Sequence, residues 1–177
     1  MTTTQPDTRD RFPGWRVVTG GFVVLSTTSG LGFYGLAVYL NAFSQERGWD
    51  VASISLATTI FFVVSGVAGL GIARLIAWLD LRVVMVIGGV LGTVSLLLLG
   101  QVENRGQLYL AYVLFGLAFA GAGLLPVTTA VTRWFHARRS VALSVVSTGL
   151  SAGGVVLTPA TKWLLDERGL AAGTPIL

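Results

Sequence analysis

The feature that most limits what this chain can fold into is the spacing of its charges. Arg16 and Glu46 bracket 29 uncharged residues, 17–45. Asp50 and Arg74 bracket 23, Arg82 and Glu103 bracket 20, Arg105 and Arg133 bracket 27, and Arg139 and Lys162 bracket 22. A helix that crosses a bilayer needs about 20 mostly apolar residues, and all five runs reach that length. Each is too long and too apolar for a core helix of a soluble domain. Barrel strands are about 10 residues long and alternate in polarity; these runs do neither. Since backbone groups in hydrocarbon must be satisfied within the segment or a closed barrel, the runs are helices. The expected fold is an all-α, polytopic membrane helix bundle with transmembrane helices near 17–45, 51–73, 83–102, 106–132 and 140–161.

Composition agrees. The 177 residues are 53% hydrophobic and only 11% charged, against about 25% charged in soluble domains. Glycine occurs 23 times, about twice its ordinary share of about 7%, as suits helices that approach closely in lipid. The absence of cysteine excludes disulfides, thiolate metal sites and Cys nucleophiles. Twelve Lys and Arg against eight Asp and Glu suggest nucleic acid, but the cations fall in short clusters between apolar runs. The partner is therefore the lipid bilayer, not nucleic acid. The first run is no cleaved signal peptide: it is too long, follows a polar 16-residue tail, and precedes four more runs.

The tryptophans Trp15, Trp49, Trp78, Trp134 and Trp163 all fall at run edges, where amphipathic rings meet headgroups. Orientation follows from Lys and Arg. With the N-terminus in the cytoplasm, the inner segments hold Arg9, Arg11, Arg16, Arg74, Arg82, Arg133, Arg138 and Arg139, eight in all. The outer segments hold four: Arg47, Arg105, Lys162 and Arg168. A cell-membrane protein (inner membrane) with a cytoplasmic N-terminus and an outside C-terminus is expected. Residues 1–13 read as a disordered cytoplasmic tail and 170–177 as a short C-terminal tail.

The chemistry is sparse. At 100° per residue, Thr19, Ser26, Gly30, Tyr34 and Asn41 fall on one side of the first span. They either line a water-filled substrate path or pack between helices, because Ser, Thr and Gly serve both purposes. The fourth span carries Gly116, Gly121, Gly123, Pro126, Thr128, Thr129 and Thr132. Pro126 removes a backbone hydrogen bond, as at the interrupted helices of transporters or at a plain packing kink. The substrate-path candidates are Tyr34, Asn41, Ser26 and Thr128. In the fifth span Gly149, Gly153, Gly154 and Pro159 make either a close-packing face or a hinge. Arg133, His136, Arg138 and Arg139 cluster in the loop before it, setting topology against anionic headgroups or guarding a cytoplasmic gate. His136 has no neighbouring ligand type, so no metal is expected. No Asp, Glu, Lys or Arg lies deep in any run, although proton-coupled carriers usually bury one. The Ser–His, paired-Asp or His-x-x-x-His sets of an intramembrane enzyme are missing, so no catalytic residue and no cofactor is expected.

Three stretches carry a resemblance: Gly14-Trp15-Arg16-Val17-Val18, Leu31-Gly32-Phe33-Tyr34-Gly35, and Trp134-Phe135-His136-Ala137-Arg138-Arg139-Ser140-Val141-Ala142. Together with Gly149, Gly153, Gly154 and Pro159, the chain from about Pro13 to Gly169 resembles the N-terminal half of a major facilitator superfamily transporter. The branch it resembles is the monocarboxylate and oxalate–formate antiporter-like group. The resemblance implies secondary active transport of a small organic anion, such as a monocarboxylate, by alternating access. It also implies a cytoplasmic gate at Arg82, Arg133, Arg138 and Arg139. The family's gate loop has the form G-x-x-x-D-R-x-G-x-R. Aligned on Val83–Gly88, its Asp falls on Ala77, its Arg on Trp78 and its turn Gly on Asp80, so only Arg82 matches. The family has twelve spans in two six-span halves, and five are expected here. The alternative is a fragment: a truncated or split half inactive alone, which needs a second transporter half or a second copy.

Overall fold

The computed structural model describes residues 14–47, 49–135 and 138–173. The expected tail 1–13, residues 174–177 and His136 lie outside them. In chain order the elements are α1 (Gly14–Thr27), a π-helical segment (Thr28–Tyr34), α2 (Gly35–Arg47), α3 (Val51–Trp78), α4 (Leu81–Gly100), α5 (Arg105–Ala122), α6 (Leu124–Trp134) and α7 (Arg139–Gly173). Five helical stretches are long and apolar enough to cross a membrane: Gly14–Gln45, Val51–Trp78, Leu81–Gly100, Arg105–Trp134 and Arg139–Arg168. No strand occurs among the described residues.

The helix ends depart from the charge-bounded runs. α3 carries Arg74 inside it and stops only at Trp78. α7 passes Lys162, Asp166, Glu167 and Arg168. At 35 residues and 1.5 Å per residue, α7 is about 50 Å long, well beyond a hydrocarbon core of about 30 Å. A charge ends the apolar run but not the helix, because outside the core water solvates a charged side chain without disturbing the backbone. The fourth span starts where local chemistry dictates. The Asn104 side chain accepts a hydrogen bond from the Gln107 backbone N–H at 2.9 Å, and the Gln107 side-chain oxygen accepts one from the Glu103 N–H at 2.8 Å. Two otherwise orphaned donors are thereby satisfied.

The fourth span is the centre of the bundle. In its most apolar stretch 61% of residues are buried, against 11% for the second span. α5 packs on α3 and α4, while α1 and the π-segment pack on α7. One core cluster joins Tyr39, Phe43, Ile54, Phe61, Leu108 and Tyr112 near the end where the first span leaves the bundle. A second joins Val18, Leu25, Val127, Val131, Ala142 and Val146 near the end where it enters. In lipid such packing gains little from water exclusion, so close contact and interhelical hydrogen bonds hold the spans together. The Ser95 hydroxyl donates to the Ala111 carbonyl at 2.7 Å, tying the third span to the fourth. A Cβ on Gly88 would lie 2.7 Å from the Gly121 backbone carbon, so these two backbones approach as only glycine allows.

Four tryptophans stand exposed: Trp15, Trp78, Trp134 and Trp163. Trp49 instead turns inward and stacks on Phe43, with ring centres 5.7 Å apart.

Candidate functional site

The first span carries most of the polar side chains of interest, and its geometry turns on the π-segment. An i→i+5 turn holds one more residue than an α-turn, so the helical face shifts between Thr28 and Tyr34. Ser29, outside the expected stripe, becomes the interhelical donor: its buried hydroxyl reaches the Leu150 carbonyl of α7 at 2.8 Å. Thr28 donates to the Val24 carbonyl and, at 3.5 Å, to the Ala122 carbonyl at the end of α5. Ala122 is the last residue of α5, and the last carbonyls of a helix have no donor within it.

The fourth span breaks at that level. α5 stops at Ala122, Gly123 adopts φ −85° and ψ −152°, and α6 resumes at Leu124. Pro126, buried, is the third residue of α6. There a missing N–H costs nothing, because the first turn of a helix has no internal acceptors for its donors. Thr128 turns its hydroxyl onto its own helix, 2.8 Å from the Leu124 carbonyl.

Of the expected stripe, Ser26, Gly30 and Tyr34 stay together against α7 and Thr19 leaves them. Thr19 is exposed and bonds back to the Trp15 carbonyl at 3.1 Å. Ser26 and Gly30 face the fifth span. A Cβ on Gly153 would lie 2.0 Å from the Ser26 carbonyl oxygen, and one on Gly30 would lie 2.7 Å from the Gly153 carbonyl oxygen. The Ser26 hydroxyl is buried with no partner among the described residues. Gly149 meets the Phe22 carbonyl, and Gly154 meets the Tyr34 ring. The glycine face of α7 is therefore occupied by the first span. Tyr34 is half-exposed at 40%, with its ring edge-on to Phe33 at 5.3 Å. Pro159 sits exposed inside α7 without ending it.

Asn41 opens into a cavity of about 350 Å³ between α2 and α7. It shares that cavity with Gln45, Lys162 and Asp166. Sequence reasoning used Lys162 only for topology and passed over Gln45 and Asp166. Their i, i+4 spacings were the available signal.

At the opposite end of the first span lies a cavity of about 580 Å³, lined by Gly20, Gly21, Asp80, Arg82, Arg133 and Trp134 among others. The structure thus brings Arg82 and Arg133 together and adds Asp80, which the sequence pattern aligned with a turn glycine. Arg138 and Arg139 are exposed at the start of α7 and do not line this cavity. Among the described residues no cluster of His, Cys, Asp and Glu could hold a metal.

The family model for the Major Facilitator Superfamily matches residues 22–173. "MFS-type transporter pynF" of Aspergillus niger is 30% identical over 167 residues, covering 88% of this chain and 36% of that protein. "Monocarboxylate transporter 11" is 30% identical over 164 residues in Mus musculus, covering 88% of this chain and 35% of the relative. In Homo sapiens the figures are 29% over 165 residues, 88% and 33%. The chain spans about a third of the length of the curated relatives it matches. With a matched region that runs from within the first span to the end of the fifth, the chain belongs to the Major Facilitator Superfamily.

Proposed function

We propose that this chain is the N-terminal half of a secondary active transporter for a small organic anion such as a monocarboxylate, working by alternating access in a cell membrane. One observation carries the reading: 88% of the chain matches proteins named monocarboxylate transporters, at 29–30% identity. Cavities with charged side chains in their walls at both ends of the first span support it. Facilitator-type sites form between two halves, so one half supplies one wall of the path. The deep charge that an anion or a proton requires comes from the other. Arg82 and Arg133, which line one cavity with Asp80, act as the cytoplasmic gate. Arg138 and Arg139 contribute through the adjoining loop.

The test is uptake. Purify the chain under native conditions and separate monomer from assemblies with a partner half or a second copy. Reconstitute each fraction in liposomes and follow labelled lactate, pyruvate, formate and oxalate under a pH gradient. Saturable uptake belongs to the two-half fraction, with the monomer inert. Saturable uptake by the monomer overturns the half reading. No uptake in any fraction overturns the organic-anion reading.

A further inference from the structure

The cavity between α2 and α7 is built from two polar rungs that face each other across the seam of the first and fifth spans. On α2, Asn41 and Gln45 stand four residues apart, and on α7 so do Lys162 and Asp166. Residues at that spacing share one helix face. Leu165, buried in the neighbouring core cluster, pins the same stretch of α7 in place. None of the four polar side chains has a hydrogen bond or ion pair among the described residues.

The four side chains carry one cation and one carboxylate. The Lys162 ammonium offers three donors, and each side-chain amide offers two beside its acceptor oxygen. At about 350 Å³ the cavity falls at the small end of ligand sites, which run about 300–1,000 Å³. A carboxylate suits it: one oxygen for the ammonium and one for the amides, in charge-assisted hydrogen bonds. A second carboxylate would meet Asp166 and be repelled. We propose that this cavity is a landing site for a small monocarboxylate, held by Lys162, Asn41 and Gln45, with Asp166 excluding dianions. The choice of anion rests on the transport reading above, but the site stands or falls by its own measurement.

The chain has no cysteine, so Lys162→Cys creates a single thiol at an exposed position. Place the full chain in phosphatidylcholine nanodiscs and read the line broadening of [13C]lactate and [13C]oxalate. The wild type binds lactate more tightly than oxalate. Lys162→Cys weakens lactate binding about tenfold, the scale of one hydrogen bond to a charged group. Aminoethyl methanethiosulfonate, which restores the cation, restores binding and shows that the variant is folded; the sulfonatoethyl reagent does not. Asp166→Asn narrows the preference for lactate over oxalate. Lactate binding that is absent in the wild type, unaltered by Lys162→Cys, or unrestored by the cation overturns the site. Intact lactate binding without uptake in any fraction overturns the transport reading and leaves the site standing.

Discussion

Glycine decides how the first and fifth spans meet. A Cβ on Gly153 would lie 2.0 Å from the Ser26 carbonyl oxygen and 2.6 Å from the Ser29 hydroxyl, and a backbone carbonyl cannot step aside as a side chain can. Gly153→Ala is expected to cost about 1–3 kcal/mol through forced separation of the helices, read as a lower unfolding temperature in detergent. Gly20→Ala is the matched control: nothing lies within 4 Å of its Cβ, so better helix propensity leaves stability unchanged or raised by up to about 1 kcal/mol. Tyr112 poses the opposite question. Its hydroxyl is buried with no partner among the described residues, and an unpaired buried hydroxyl costs about 1–3 kcal/mol. Tyr112→Phe keeps the ring and drops that cost, so thermal unfolding should move up. A lower unfolding temperature would mean that a water or a partner occupies the hydroxyl. The small-residue spacing of Gly149 and Gly153 was legible in the sequence, but their partner helix was not, because one face at i, i+4 fits any close neighbour.

At the scale of elements, the break in the fourth span and the π-segment in the first act as one joint. Pro126 signalled an interruption in the sequence, yet the helix yields three residues earlier, at Gly123. There a Cβ would sit 2.3 Å from the Phe119 carbonyl oxygen. The Ala122 carbonyl, left at the end of α5 by the break, receives the Thr28 hydroxyl at 3.5 Å. Two variants should therefore be coupled. Thr28→Val removes that donor, whose proton is shared with the Val24 carbonyl, and costs up to about 1 kcal/mol in the wild type. Pro126→Ala lets the helix close through Gly123, which brings the new N–H onto the same carbonyl, and Thr28→Val then costs less. A double-mutant cycle on thermal unfolding measures the difference, and strictly additive losses would sink the joint. The expected stripe of the first span was partly right: Ser26, Gly30 and Tyr34 share the face against α7, and Thr19, exposed on α1, does not. The extra residue of the π-turn brings Ser29 onto that face as well. That is how Ser29 became the interhelical donor. No periodicity argument detects such a turn, because its sequence, Thr28–Tyr34, reads as ordinary small and apolar residues.

At the scale of the whole molecule, the number of crossings was legible because it rests on the strongest term available, the cost of charge in hydrocarbon. Five uncharged runs became five helices long and apolar enough to cross; only their ends moved, since helices continue where lipid gives way to water. The same charges predict the orientation. Eight cations fall on the side of the N-terminus and four on the other, and Lys and Arg near span ends are retained on the cytoplasmic side. Five crossings put the two ends of the chain on opposite faces. Reporter fusions after Thr3 and after Leu177 should read cytoplasmic and external, respectively, and both ends on one side would refute the five-span arrangement. The double variant Arg138→Gln, Arg139→Gln then separates topology from gating. It lowers the inner count from eight to six against four outside, which keeps the sign of the bias, so orientation should hold. If the two arginines also steady the closed inner face, the leak of labelled lactate through a transporting two-half assembly should rise. Uptake and leak both unchanged, with orientation intact, would leave Arg138 and Arg139 with topology as their whole role.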